Sequence, residues 1–182
     1  MKKHIAEPIK SKKDIKAVEQ YLKEHNERDY VIWVLGLNSG LRVSDIVGLN
    51  VSDVVDKTHI TIIEKKTQKR KSFYINDKLK KVLKSYTKGR SLDEPLFLGK
   101  QGRRLDRSIV HRFIKNACKE VGLKIQASTH TMRKSFGYHH YQQYKDSVIL
   151  QKIFNHSSQN ITLRYISVDQ DEIDFSYKHF IL

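Results

Sequence analysis

The stretch "HSSQNITLRYI", His156–Ile166, sets a histidine and a tyrosine nine positions apart, with a helix-like pattern between them. Its local reading is one helix closing at His156 and a second starting at Ser157 or Ser158, since serine hydroxyls cap helix N-termini. Tyr165 is one of nine tyrosines, and most tyrosines are packing groups with a polar tip. Whether this one packs or reacts is decided by what surrounds it.

Two more helical patterns lie just upstream, "THTMRKSFGYHHYQQ" and "SVILQKIFN", and the tail "DEIDFSYKHFIL" reads as a short last helix with an apolar end. "YVIWVLGLNSG" is apolar almost all round, which predicts a buried central helix stopped at Gly40, and "RVSDIVGL" follows at once as a short helix. "SKKD" has capping-box spacing at Ser11, ahead of the stripe Ile15, Val18 and Leu22. Leu79, Val82, Leu83 and Tyr86 mark a helix opened by Asn76 or Asp77. Ile109, Val110, Phe113, Ile114, Ala117 and Val121 mark another, stopped by Gly122. "HITIIE" and "KSFYI" alternate, and with "KKTQKR" between them they predict a β-hairpin with a basic tip. "EPLFLGKQGRRL" is turn-rich, with room for one short strand. The expected fold is mostly α with a small antiparallel β-sheet (α+β). A loose segment over residues 1–10 precedes one domain over 11–182, with no repeat and no linker.

The 182 residues carry 35 Lys and Arg against 20 Asp and Glu, a net charge of +15. That excess on one domain points to a polyanionic partner, and nucleic acid leads. No segment approaches the roughly 20 apolar residues of a membrane span, and "MKKHIAEPIKSKK" lacks the apolar stretch of a secretory signal. The one cysteine, Cys118, excludes an internal disulfide and sits in an apolar stripe as a small core residue. These features fit a cytoplasmic protein, associated with the nucleoid when bound to DNA.

Several residues could carry chemistry. Lys65, Lys66, Lys69, Arg70 and Lys71 crowd the hairpin tip, as a solvated charge run or as a set of phosphate contacts. His130 and Arg133, three apart, share a helix face near an N-terminus whose free N–H groups add positive potential. His139 and His140 diverge as surface residues. Arg42 falls at a helix junction with Asp45 three residues on to hold its guanidinium, a planar fork suited to phosphate oxygens. No His, Cys and carboxylate set has metal-ligand spacing.

Taken in order, these residues resemble the catalytic domain of the tyrosine recombinases, the phage integrase family. "GLRVSDI" is similar to the family's first-arginine box, with Asp45 where Glu is more usual. "EKKTQKRKSFYI" resembles the hairpin that carries the catalytic lysine. "THTMRKSF" resembles the His-x-x-Arg box, with Lys134 where a second His is common. "IFNHSSQNITLRYI" resembles the final box, a His followed by the nucleophilic Tyr. The likeness runs from residue 10 to residue 170.

The resemblance implies DNA cleavage and rejoining through a covalent 3′-phosphotyrosyl bond, with no metal and no cofactor. Tyr165 would attack, Arg42 and Arg133 would clamp the nonbridging oxygens, and His130 would take the tyrosine proton. His156 would hydrogen-bond the phosphate. Lys66, preceding "TQ" at the turn, would protonate the leaving 5′ oxygen, with Lys65 and Lys69 close by. A one-residue shift there reverses the strand face. Lys65, Lys69, Arg70 and Lys71 would meet the DNA, and Asp45 would support Arg42. The implied partner is double-stranded DNA, bound weakly by a monomer and assembled as a homo-tetramer on two duplexes, with the terminal "FIL" docked on a neighbour. Many members carry a core-binding or arm-binding domain as well. None is seen here, so the chain is either a naturally short recombinase, similar to the small invertases that switch fimbrial promoters, or a piece of a longer one. The rival readings are a non-catalytic DNA-binding regulator on the same fold and a type IB topoisomerase-like relaxing enzyme. A generic RNA-binding protein lacks support, as no RNP-type aromatic motif is present.

Overall fold

The computed structural model describes residues 6–64 and 68–181. Helix α1 (Lys12–His25) opens where the capping pattern places it, with the Ser11 hydroxyl accepting from the Asp14 N–H. Helix α2 (Glu27–Ser39) is capped by Asn26 and ends at Gly40 in the left-handed region, φ 60°. A Cβ at Gly40 would also fall 2.6 Å from the Phe136 ring, so glycine is needed for both conformation and space. Helix α3 (Val43–Ile46) follows at once.

Strands β1 (His59–Ile63) and β2 (Arg70–Tyr74) pair antiparallel, with Ile60 opposite Phe73 and Ile62 opposite Lys71. Helix α4 (Asp77–Tyr86) is opened by Asn76, whose side chain accepts from the Leu79 N–H. The stretch "EPLFLGKQGRRL" forms no strand. It makes two isolated bridges, Asn50 with Pro95 and Leu98 with Arg104, and a 3-10 turn over Lys100–Gly102. Helices α5 (Arg107–Glu120), α6 (Thr129–Tyr144), α7 (Ser147–Phe154), α8 (Gln159–Ile166) and α9 (Asp169–His179) complete the chain. The fold is mostly helical with one small antiparallel sheet.

Helix α2 is the centre of the main core. Val31, Ile32, Trp33, Val34 and Leu35 are all buried, as its all-round apolarity predicts. Helix α6 crosses it where Gly36 meets Met132; a Cβ there would stand 2.6 Å from the Met132 sulfur. The other face of α6 covers a smaller core of Tyr141, Leu150, Phe154, Ile166 and Val168. At Gly137 a Cβ would stand 2.6 Å from Ile166 and 2.7 Å from Phe154. Helix α6 is therefore a wall shared by two cores, and it aligns α2–α3 on one side with α7–α8 on the other.

Two further expectations change. Residues 6–10 are not loose: Ile9 is buried, its N–H donates to Ser135 Oγ at 2.8 Å, and the Glu7 N–H donates to Gln126 O at 3.1 Å. His139 is not a surface residue either, since its Nε2–H donates to Ile9 O at 2.9 Å. One apolar residue with a waiting acceptor and donor is enough to anchor a polar segment, and periodicity does not reveal it. Among the described residues no helix is long and apolar enough to cross a membrane.

Candidate active site

Arg42 is set by the Gly40 turn and the start of α3. Its Nη1 lies 2.9 Å from Glu64 Oε1, and the Glu64 side chain is only 1% exposed. Glu64 is thus the ion partner that orients Arg42, the task expected of Asp45. Asp45 is buried in α3, near enough to Lys71 to act on its charge. The signal for Glu64 was present in "HITIIE": alternation puts Ile60, Ile62 and Glu64 on the inward face, and an inward carboxylate requires a cation.

Arg133 is almost wholly buried and donates to Gly40 O at 2.5 Å and to Phe154 O at 2.8 Å. Its guanidinium also lies over the Phe154 ring, 4.3 Å from the centroid. One side chain therefore ties the α2–α3 junction to the end of α7, and its orientation is set before any ligand arrives.

His130 sits at the N-terminus of α6, capped by Ser128, with its Nδ1 3.1 Å from Tyr165 Oη. Asn155 in the left-handed region ends α7, and the Ser158 hydroxyl starts α8 by accepting from the Ile161 N–H. His156 lies in the turn between them. Its Nδ1 is 3.0 Å from Thr162 Oγ1, and Thr162 donates its own proton to Ser158 O at 3.2 Å. With Thr162 donating to Ser158 O, the matching tautomer of His156 donates its Nδ1–H to Thr162 Oγ1. Burial first, then the Arg133 and Arg42 charges, push His156 down to about 4. Burial raises the Tyr165 phenol, and the charge and hydrogen bonding of Arg133 pull it back. Lys134 lies buried on the ring face of Tyr165, 5.0 Å from the centroid, a contact no sequence pattern announced.

Arg42, Arg133 and His130 open onto one cleft, which Ser44, Arg107 and His111 extend. Arg107 and His111 escaped the sequence reading because helix α5 offered only its apolar stripe. On the hairpin, Lys69 Nζ lies 3.4 Å from Asn155 Oδ1, and Arg70 is exposed. Lys71 departs from the exposed tip expected of it. It is the inward member of β2, with Nζ enclosed, because the pleat turns it toward the site. Lys65 and Lys66 lie outside the described residues. No group of His, Cys, Asp and Glu among the described residues could hold a metal ion.

The arrangement suits a tetrahedral oxyanion: two fixed guanidiniums, the His130 imidazole on the same cleft, and a phenol against it. Residues 10–172 match the phage integrase family. The chain is 43% identical to the probable integrase/recombinase YoeC of Bacillus subtilis strain 168, over 97% of this chain and 98% of that one. It is 31% identical to the tyrosine recombinase XerC of Thermodesulfovibrio yellowstonii, over 79% of this chain and 51% of that one. It thus spans about half the length of that relative. In structure it resembles the XerA recombinase, with a TM-score of 0.79 at 22% identity, covering all of this chain and 66% of that one. Arg42 and Arg133 line one cleft with His130, against which Tyr165 rests, and the chain belongs to the phage integrase family as a tyrosine recombinase catalytic domain.

Proposed function

We propose that Tyr165 is the nucleophile of a site-specific recombinase acting on double-stranded DNA. Its Oη attacks the scissile phosphorus, a 3′-phosphotyrosyl bond forms, and the bond to the 5′ oxygen breaks. The phenol proton passes to His130, and the departing 5′ oxygen takes a proton from the hairpin lysine, Lys66. A 5′ hydroxyl then attacks the phosphotyrosyl bond and returns the proton to Tyr165, so the bond energy is kept. The observation that carries this reading is the Tyr165 hydroxyl 3.1 Å from His130 Nδ1, beside the cleft of Arg42 and Arg133. A phenol raised by burial is a weak nucleophile and needs that base. Each guanidinium meets charge that grows in the transition state, and losing one such donor costs about 2.7–4 kcal/mol, roughly 10²–10³ in rate.

A lambda integrase of similar fold is bound as a tetramer to a Holliday junction. By analogy, this chain works as a tetramer on two duplexes, in the cytoplasm where its DNA lies. The exposed apolar residues Ile173, Phe175, Tyr177, Phe180 and Ile181 of the C-terminal segment supply a surface for a neighbouring copy.

The test is a nicked duplex that traps the covalent intermediate. Wild type is expected to form a protein–DNA adduct, and Tyr165→Phe none. An adduct with Tyr165→Phe removes Tyr165 as the nucleophile. A larger rate loss for Lys65→Ala than for Lys66→Ala moves the proton donor by one residue. DNA binding without any adduct favours a regulator, and relaxation of supercoils without site preference favours a topoisomerase.

A further inference from the structure

The pleat of β2 turns Arg70, Ser72 and Tyr74 to solvent and Lys71 and Phe73 inward. The cross-strand neighbour Ile62 faces the same way, as does Glu64 beyond it. Lys71 therefore turns inward on the same face as Glu64, and the charges of Arg133, Glu64, Arg42 and Asp45 all act on its ammonium. Its Nζ is sealed from solvent and has no hydrogen-bond partner. A buried ammonium in that position costs free energy. Burial, followed by the Arg133 charge, lowers Lys71 from 10.5 to about 8. The strand-cleavage steps above give it no task.

Among the described residues acting on Lys71, two guanidiniums, Arg42 and Arg133, face two carboxylates, Asp45 and Glu64. The Lys71 ammonium adds a positive charge to that set, which a bound oxyanion opposes. We propose that Lys71 is a positioning residue of the phosphate site, a cation lodged behind the Arg42–Arg133 clamp whose charge is matched by the bound oxyanion. It acts through the clamp, because its enclosed Nζ does not reach the cleft surface. Burial and the two guanidiniums weaken its charged form relative to an ordinary lysine, and a bound oxyanion strengthens it, so from about pH 8 upward oxyanion binding brings a proton with it. Two other titratable groups near the clamp, His156 and Tyr165, are displaced from that window in opposite directions. His156 is held down to about 4, and Tyr165 is raised above ordinary phenols. The proposal rests on the clamp being the phosphate site.

The test uses the full chain with lysine labelled at Cε, followed by NMR from about pH 7 to about pH 11. The Lys71 signal is the one missing from Lys71→Arg. Sulfate is the probe, an oxyanion that does not titrate in this range. The Lys71 midpoint is expected near pH 8 in free protein. Saturating sulfate should raise it by about one unit, a tenfold linkage, in wild type but not in Arg42→Gln. A midpoint among ordinary lysines, or one that sulfate leaves in place, overturns the proposal. Random-sequence duplex separates the two readings. Duplex binding with an unmoved Lys71 sinks this proposal alone. A sulfate response without duplex binding sinks the DNA reading and leaves Lys71 in its role.

Discussion

His156 shows how much a single site residue takes from its surroundings. Its Nδ1–H is committed to Thr162 and its charge is suppressed by burial and two guanidiniums, so the empty site holds it neutral. The unfolded chain protonates its histidines near the ordinary value of about 6.5. Between there and about 4 the unfolded state binds a proton that folded His156 refuses, so stability falls as pH falls through that window. His139 and His140 are lowered too and act in the same direction. The difference between wild type and His156→Gln isolates the share of His156. Thermal unfolding of the variant should show a shallower loss of Tm from about pH 6.5 to about pH 4, and parallel curves would contradict the assignment. At this scale the sequence named candidates and did not give their partners. Arg42, His130, Arg133, His156 and Tyr165 could be singled out from it, while Glu64 in place of Asp45, Lys71 turned inward and Lys134 on the Tyr165 ring could not. The partner of a side chain depends on which element folds beside it, and spacing along the chain does not encode that.

The element that decides the site is α6. It brings His130 and Arg133 to the cleft, carries Gly36's partner Met132 on one face, and receives Phe154 and Ile166 at Gly137 on the other. Gly137→Ala would drive a methyl group into those two side chains, and overpacking of this kind costs about 1–3 kcal/mol. The strain falls on α7 and α8, the helices that hold His156 and Tyr165. Adduct formation on nicked DNA should therefore fall by more than duplex affinity does. An equal loss in both, or none, would show that α7–α8 are not positioned by this contact. Most element boundaries could be read from local chemistry: Ser11, Asn76 and Ser158 as caps, Gly40 and Gly122 as stops. The strand sought in "EPLFLGKQGRRL" failed because its hydrogen bonds go elsewhere. Arg104 donates to Val47 O and Leu49 O, and the segment is held by side chain and isolated bridges instead of a ladder.

Across the whole molecule, two features reach beyond the site. The net charge of +15 includes Arg107, which with His111 extends the cleft along α5. Binding that leans on such phosphate contacts weakens steeply with salt. The second feature is the C-terminal segment, where residues 172–181 are all exposed and include Phe175, Tyr177, Phe180 and Ile181. Phe180 and Ile181 are exposed, so deleting residues 180–182 should change folding stability by no more than about 0.5 kcal/mol. Assembly of multimers on DNA, read by native gel or light scattering, should fall clearly. Unchanged assembly would count against docking between copies.

By itself the sequence determined the helical class, the paired strands, the family, and the order of the candidate site residues. These follow from local rules, namely side-chain period, capping and residue type, which operate within a few positions. Only the tertiary structure decided that Glu64 holds Arg42, that Lys71 lies behind the clamp, and that the stretch His156–Ile166 sets its tyrosine against His130. Those contacts join residues that are distant along the chain, and they exist because α6 is packed between two cores that no local pattern describes.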